Sequence, residues 1–111
     1  MNKLQEDKLA TIVIDLGVRK DQINESFLSQ FGTAIELILK RMFGLNDLDF
    51  KLRGPRNSVD KFIRTLEKER DYARTLRRLG LDNPSSLGSK WQLDKAVKEF
   101  EKTTGIKWPL K

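Results

Sequence analysis

Four times in 111 residues a periodic apolar segment ends in glycine followed at once by an apolar residue: Gly17-Val18, Gly44-Leu45, Gly80-Leu81 and Gly105-Ile106. Glycine just past a helix takes the left-handed conformation without a Cβ penalty, and the next apolar side chain folds back onto the last turn. Glycine before an apolar residue is common, so the weight lies in the number of stops and not in any one of them. Four stops predict a mainly α fold of about four helices, and the length suits one domain over residues 1–111.

The segments between the stops differ in clarity. Asn2 to Leu16 fits two readings: Leu9, Ile12, Val13 and Leu16 share a helical face, yet Thr11-Ile12-Val13-Ile14 is a β-branched run that suits a buried strand. The Gly17-Val18 stop favours the helix. The alternative is an α+β domain in which Thr11–Leu16 is a strand paired with Phe50–Arg53. In the second segment Asp21 or Asn24 can cap a helix, and Phe27, Leu28, Phe31, Ile35, Ile38, Met42 and Phe43 form a broad apolar stripe. Gly32 interrupts that stripe at a cost of about 1 kcal/mol against alanine, which predicts close approach of another backbone, the first helix or a second copy of the chain.

Phe50–Arg53 alternates apolar and basic residues and cannot satisfy its backbone alone. The similar stretch Ile106-Lys107-Trp108 is its expected partner in a short two-stranded β pairing. A third helix is expected from Asn57 or Ser58, with Val59, Phe62, Ile63 and Leu66 inside and the apolar side drifting beyond Leu66 towards Tyr72, Ala73, Leu76 and Leu79. Asp82–Gly88 reads as a surface loop. Ser89 with Gln92 three residues on reads as the capping box of a fourth helix, whose inner face is Leu93, Ala96, Val97 and Phe100.

Charge divides the chain. Residues 1–50 hold six Lys or Arg against eight Asp or Glu (net −2), and residues 51–111 hold sixteen against eight (net +8). An excess gathered in one half points to a polyanion, most simply nucleic acid, although basic residues also serve solubility alone. On the third helix Lys61, Arg64 and Lys68 line one side, and Arg74, Arg77 and Arg78 cluster near its C-terminal end. On the fourth, spacings of four, three and four align Trp91, Lys95, Lys98 and Lys102. Cations neutralise phosphates and an indole stacks on an unpaired base, so these residues, Lys61 apart, form the candidate nucleic-acid-binding set of nine. The competing explanation is an ordinary solvated face, to which the i,i+4 pairs Asp94/Lys98 and Lys95/Glu99 belong. Arg70-Arg74-Arg78 fits that explanation poorly, because cations four apart repel unless an anion lies alongside.

Catalysis finds little support. Neither Cys nor His is present, which removes disulfides, thiolate metal sites, the commonest general base and the commonest metal ligand. Asp47-Leu48-Asp49 lacks the remaining oxygens of a calcium loop, and no phosphate loop, nucleophile elbow or dinucleotide fingerprint occurs. The sequence therefore predicts a non-enzymatic binding protein without metal or cofactor. No run is long enough to span a membrane and Met1–Asp7 is too polar to begin a secretion signal, so the expected setting is cytoplasmic.

Gly80-Leu81-Asp82-Asn83-Pro84, then Leu93-Asp94, Phe100-Glu101 and Thr104-Gly105-Ile106-Lys107-Trp108-Pro109, resemble small accessory proteins of T4-like tailed bacteriophages. The likeness spans about half the chain. It implies life in an infected bacterium or inside the virion, and roles in head assembly, genome packaging or interference with a host protein. Nucleic acid is thus one expected partner and a host or phage protein another. The Phe27–Phe43 helix, or the Trp108-Pro109 tail, would supply an adaptor or homodimer surface.

Overall fold

A computed structural model of the chain describes residues 12–43 and 50–110. Its elements, in order, are strand β1 (Ile12–Asp15), a 3-10 turn (Lys20–Gln22), helix α1 (Glu25–Phe43), strand β2 (Phe50–Arg53), helix α2 (Arg56–Leu79) and helix α3 (Pro84–Thr104). The fold is mainly helical, with three helices among the described residues and a two-stranded parallel sheet. The expected Gly44-Leu45 stop, the Asp47–Asp49 carboxylates and the segment before Ile12 lie outside the described residues, as do the side chains of Met42 and Phe43.

The first segment departs from the four-helix expectation. From Ile12 its β-branched residues form a strand, and it is this strand that pairs with Phe50–Arg53, in the register Ile12 to Phe50 and Ile14 to Leu52. A parallel pair needs a long crossover, which α1 supplies. Alternation turns Ile14 inward and leaves Val13, Lys51 and Arg53 exposed. The Leu16 amide extends the ladder by donating to the Arg53 carbonyl at 2.7 Å.

Gly17 is therefore not a helix stop. Just past the strands, a Cβ on Gly54 would lie 2.9 Å from the Gly17 nitrogen and 3.0 Å from the Leu16 carbonyl carbon, and Gly54 has φ +128°. The two glycines let the strand exits touch. Gly80 (φ 83°) and Gly105 (φ 76°, ψ 3°) do follow helices, and their amides donate to the Leu76 and Glu101 carbonyls.

In α1 the Asn24 side chain accepts from the Phe27 amide at 2.9 Å, so Asn24 and not Asp21 is the cap. Phe31, Ile35 and Ile38 are buried. In α2 the inner face is Ser58, Phe62, Thr65 and Leu66, whereas Ile63, expected inside, is 40% exposed. Among the described residues the α2–α3 interface is the most extensive, and the small residues Thr65 and Ala96 are buried there. The buried Thr65 hydroxyl lies 2.8 Å from the Lys61 carbonyl and 3.2 Å from that of Ala96 on α3.

The start of α3 also differs from expectation. Ser89 is not a cap. Asn83 caps the helix through its side chain, which accepts from Ser85 at 2.9 Å, and Pro84 occupies the first turn, where its missing N–H costs nothing. What reads as a loop is the first turn of the helix, so Gly88 lies inside it.

The C-terminal tail does not pair with β2. It crosses the core as an extended strap held by side chains: the Ile106 amide donates to the Thr104 hydroxyl at 3.0 Å, and the Trp108 amide to Glu101 Oε2 at 2.9 Å. Trp108, 1% exposed, packs against Phe100, Phe62 and Phe31 with ring centroids 5.3, 5.8 and 6.3 Å away. Pro109 then covers Gly32, where an added Cβ would meet its ring at 3.2 Å. The close approach expected at Gly32 thus comes from the tail, and neither the first segment nor a second copy is needed to explain it. Of the Trp108-Pro109 tail, Trp108 is buried, while Pro109 lies over Gly32 and keeps an exposed outer side.

Candidate nucleic-acid interface

Helix geometry decides which cations can act together. Arg64 and Lys68 are one turn apart on the flank of α2 that faces α3, and Trp91 and Lys95 are one turn apart on the facing flank of α3. With Gln92, Ala96 and Glu99 they line one groove of about 290 Å³. Four of the nine candidate residues therefore meet there. Trp91 is 65% exposed, in contrast to the buried Trp108.

Each side chain of the groove has a definite neighbour. Lys95 Nζ lies 5.5 Å from the centroid of the Trp91 ring, a cation–π contact worth about 0.5–1 kcal/mol at an exposed site. Lys68 Nζ donates to Gln92 Oε1 at 3.0 Å, which ties α2 to α3 across the groove floor. Glu99 is the one carboxylate lining the groove, and Lys61 Nζ donates to its Oε1 at 3.1 Å. That hydrogen bond, the charge of Lys61 behind it, and the nearby Arg64 and Lys95 hold the Glu99 carboxyl below the usual glutamate range. Three cations, Lys61, Arg64 and Lys95, thus favour the ionised form of this carboxylate.

The other five candidates lie elsewhere. Lys98, about 20° round α3 from Trp91 but two turns further on, lines a separate cleft with Glu69, Tyr72, Lys90, Asp94 and Glu101, and Lys102 is exposed in the last turn. Arg74, Arg77 and Arg78 sit about 9 to 15 Å further along α2 than Lys68 and are turned roughly 60 to 160° from the Arg64–Lys68 flank, at 1.5 Å and 100° per residue. Beyond a Debye length of about 8 Å at physiological salt they add little to the field in the groove. Nor is the arginine ladder a row of three unmatched cations, since Arg70 pairs with its neighbour Asp71 at 3.3 Å.

Gln92, Ala96 and Glu99 complete the groove, with Lys61 bonded to Glu99, and the sequence did not single out Gln92 or Glu99 as members of it. A cation on one helix and a carboxylate or amide on another leave no signal at a fixed spacing.

The opposite cleft has different chemistry. Its volume is about 360 Å³, and three carboxylates line it beside two lysines and the apolar Leu93, Val97 and Leu110. Burial raises the Glu69 carboxyl above its ordinary value. The hydrogen bond from Trp108 Nε1 at 2.9 Å opposes that shift, Lys90 adds to the opposition, and Asp94 works against it. Among the described residues no group of three or more carboxylates is placed to hold a metal ion, and no helix is long and apolar enough to cross a membrane.

Compared with protein-family models, curated proteins and solved structures, the chain gave no match.

Proposed function

We propose that the protein acts by binding and that nucleic acid associates with the α2–α3 groove. One observation carries this reading: Arg64, Lys68 and Lys95 converge around the exposed Trp91 indole. The cations neutralise backbone phosphates and release their counterions, and the ring offers a stacking platform. The candidate set contracts to Arg64, Lys68, Trp91 and Lys95. Arg74, Arg77, Arg78, Lys98 and Lys102 act at most as diffuse attraction.

Gel-shift titration at several salt concentrations tests this. Wild type is expected to shift oligonucleotides at low salt, with log K falling linearly in log salt. The triple variant Arg64→Gln, Lys68→Gln, Lys95→Gln should lose most of that affinity and flatten the slope by about two units, at roughly 0.7 to 0.9 per phosphate contact. An unchanged titration for the triple variant removes the groove as the site.

A protein–protein adaptor role is supported by a different feature. Leu79, Leu81 and Leu87, which flank the α2–α3 turn, are 48, 68 and 59% exposed. Recovery of a partner protein that survives nuclease treatment, and its loss on Leu81→Ser with Leu87→Ser, would support that reading.

A further inference from the structure

The two flanks of α3 are unlike each other. On one side lies the basic groove, with Arg64, Lys68 and Lys95 around Trp91. On the other lies the cleft whose wall carries Glu69, Asp94 and Glu101 with Lys90 and Lys98, so that carboxylates outnumber cations there. This asymmetry bears on what form of nucleic acid the surface accepts.

A duplex read by a helix places that helix in a major groove about 12 Å wide, with a phosphate row along each of its sides. With α3 so placed, one row would meet the cations of the groove and the other a wall of three carboxylates and two lysines, one of them paired with Asp94, which attracts phosphate far less. A single strand carries one row of phosphates and leaves its bases free. It can run along the basic flank without approaching the acidic one.

Trp91 gives the second, independent indication. An indole that is 65% exposed on an outer helix face has no role in the core, which Trp108 already fills. Its flat face is held by Lys95 at 5.5 Å, a contact weaker than the stacking of a base on an aromatic ring. A base in a duplex is stacked between its neighbours and cannot take that place, whereas an unpaired base can.

We infer that the α2–α3 groove takes single-stranded nucleic acid in preference to duplex, with an unpaired base stacked on Trp91 where Lys95 now lies. This rests on the nucleic-acid reading above. As the base arrives, the Lys95 ammonium swings from the ring to a phosphate, alongside Arg64 and Lys68. No covalent step is involved. Glu99, paired with Lys61, marks the edge of the strand's path.

Tryptophan fluorescence tests the inference on the intact chain. The protein has two tryptophans, and Trp108 is sealed in the core, so quenching on titration reports Trp91. Wild type should be quenched saturably by a short oligothymidylate at low salt and should bind it at least tenfold more tightly than a duplex of equal length. Trp91→Leu should lose roughly 5- to 150-fold in affinity for the single strand, the range spanned by one stacked base, while Trp91→Phe should keep most of it. Anisotropy of a labelled strand follows the variants, which lack the reporter. Duplex bound as tightly as single strand, or Trp91→Leu binding like wild type, overturns the inference and leaves nucleic-acid association standing. No binding of either form at low salt removes both.

Discussion

Replacing Trp108 with alanine should be the most damaging single change to this fold that leaves the proposed binding groove untouched. The indole is 1% exposed and sits among Phe31, Phe62 and Phe100. A buried aromatic of this size removes about 150–250 Å² from water, which at about 25 cal/mol per Å² amounts to roughly 4–6 kcal/mol. Partial collapse of the cavity brings the expected loss to about 3–5 kcal/mol. A further effect has the same sign, because Glu69 loses the Nε1–H donor that offsets its burial. A chain of this length has a total stability on the order of 6–17 kcal/mol, so the variant should fold but with much of its margin gone.

Urea unfolding followed by circular dichroism measures this without relying on the tryptophan signal. With a slope of about 2 kcal/mol per molar, the midpoint should fall by roughly 1.5–2.5 M. Trp91→Ala is the internal comparison: its exposed ring predicts a change within about 0.5 kcal/mol. If Trp108→Ala unfolds within about 0.3 M of wild type, or if Trp91→Ala costs as much, the tail does not close the core and the assignment of the two tryptophans to core and surface is wrong.

Other consequences follow from particular contacts. Glu99→Gln keeps an acceptor for Lys61 but removes the one negative charge lining the groove, and should strengthen oligonucleotide binding about fivefold at low salt, a gain that fades as salt rises. Glu69 has its carboxyl raised above the ordinary value of 4.5, so its contribution to stability is fully present below that value and is lost as pH rises through the raised one. Glu69→Gln retains an acceptor for Trp108 and abolishes that dependence. The stability of Glu69→Gln relative to wild type, from urea midpoints, should therefore be greater at pH 7 than at pH 4. Gly88→Ala, inside α3 with nothing within 4 Å of the added Cβ, should stabilise by about 0.5–1 kcal/mol in thermal unfolding. Gly54→Ala should destabilise, because Gly54 has a positive φ and its Cβ would press on the Gly17 and Leu16 backbone.

The helix interiors were legible in the sequence because a 3.6-residue period is imposed by local geometry. Phe31, Ile35 and Ile38 on α1, and Leu93, Ala96 and Phe100 on α3, are buried as that period requires. The sheet was only half legible. Ile12-Val13-Ile14 and Phe50–Arg53 each read as strand material, but the choice between β1 and the Ile106–Trp108 tail as partner depends on tertiary packing. Gly17 compounded the difficulty, since glycine marks a helix end and a close backbone approach with the same letter. At Asn83-Pro84 a breaker was read where a cap and first turn stand.

The groove was legible as two separate faces and not as one site. Arg64 with Lys68, and Trp91 with Lys95, each follow from spacing on a single helix. Their meeting depends on the rotation of α2 against α3, which is set by the buried Thr65 and Ala96 and their hydrogen bond. A helical wheel drawn for one helix contains no such information. Arg74, Arg77 and Arg78 stay outside the groove because they lie further along and around α2, and Lys98 because it lies further along α3.

Backbone amide shifts of the 15N-labelled protein, followed while oligothymidylate is added at low salt, test the binding account most directly. The account predicts perturbations concentrated at residues 64, 68, 91, 92, 95 and 99, with the Trp91 indole N–H moving and that of Trp108 fixed. Perturbations centred instead on Arg74 and Arg78, on β1, or on the cleft of Glu69 and Asp94 would contradict it.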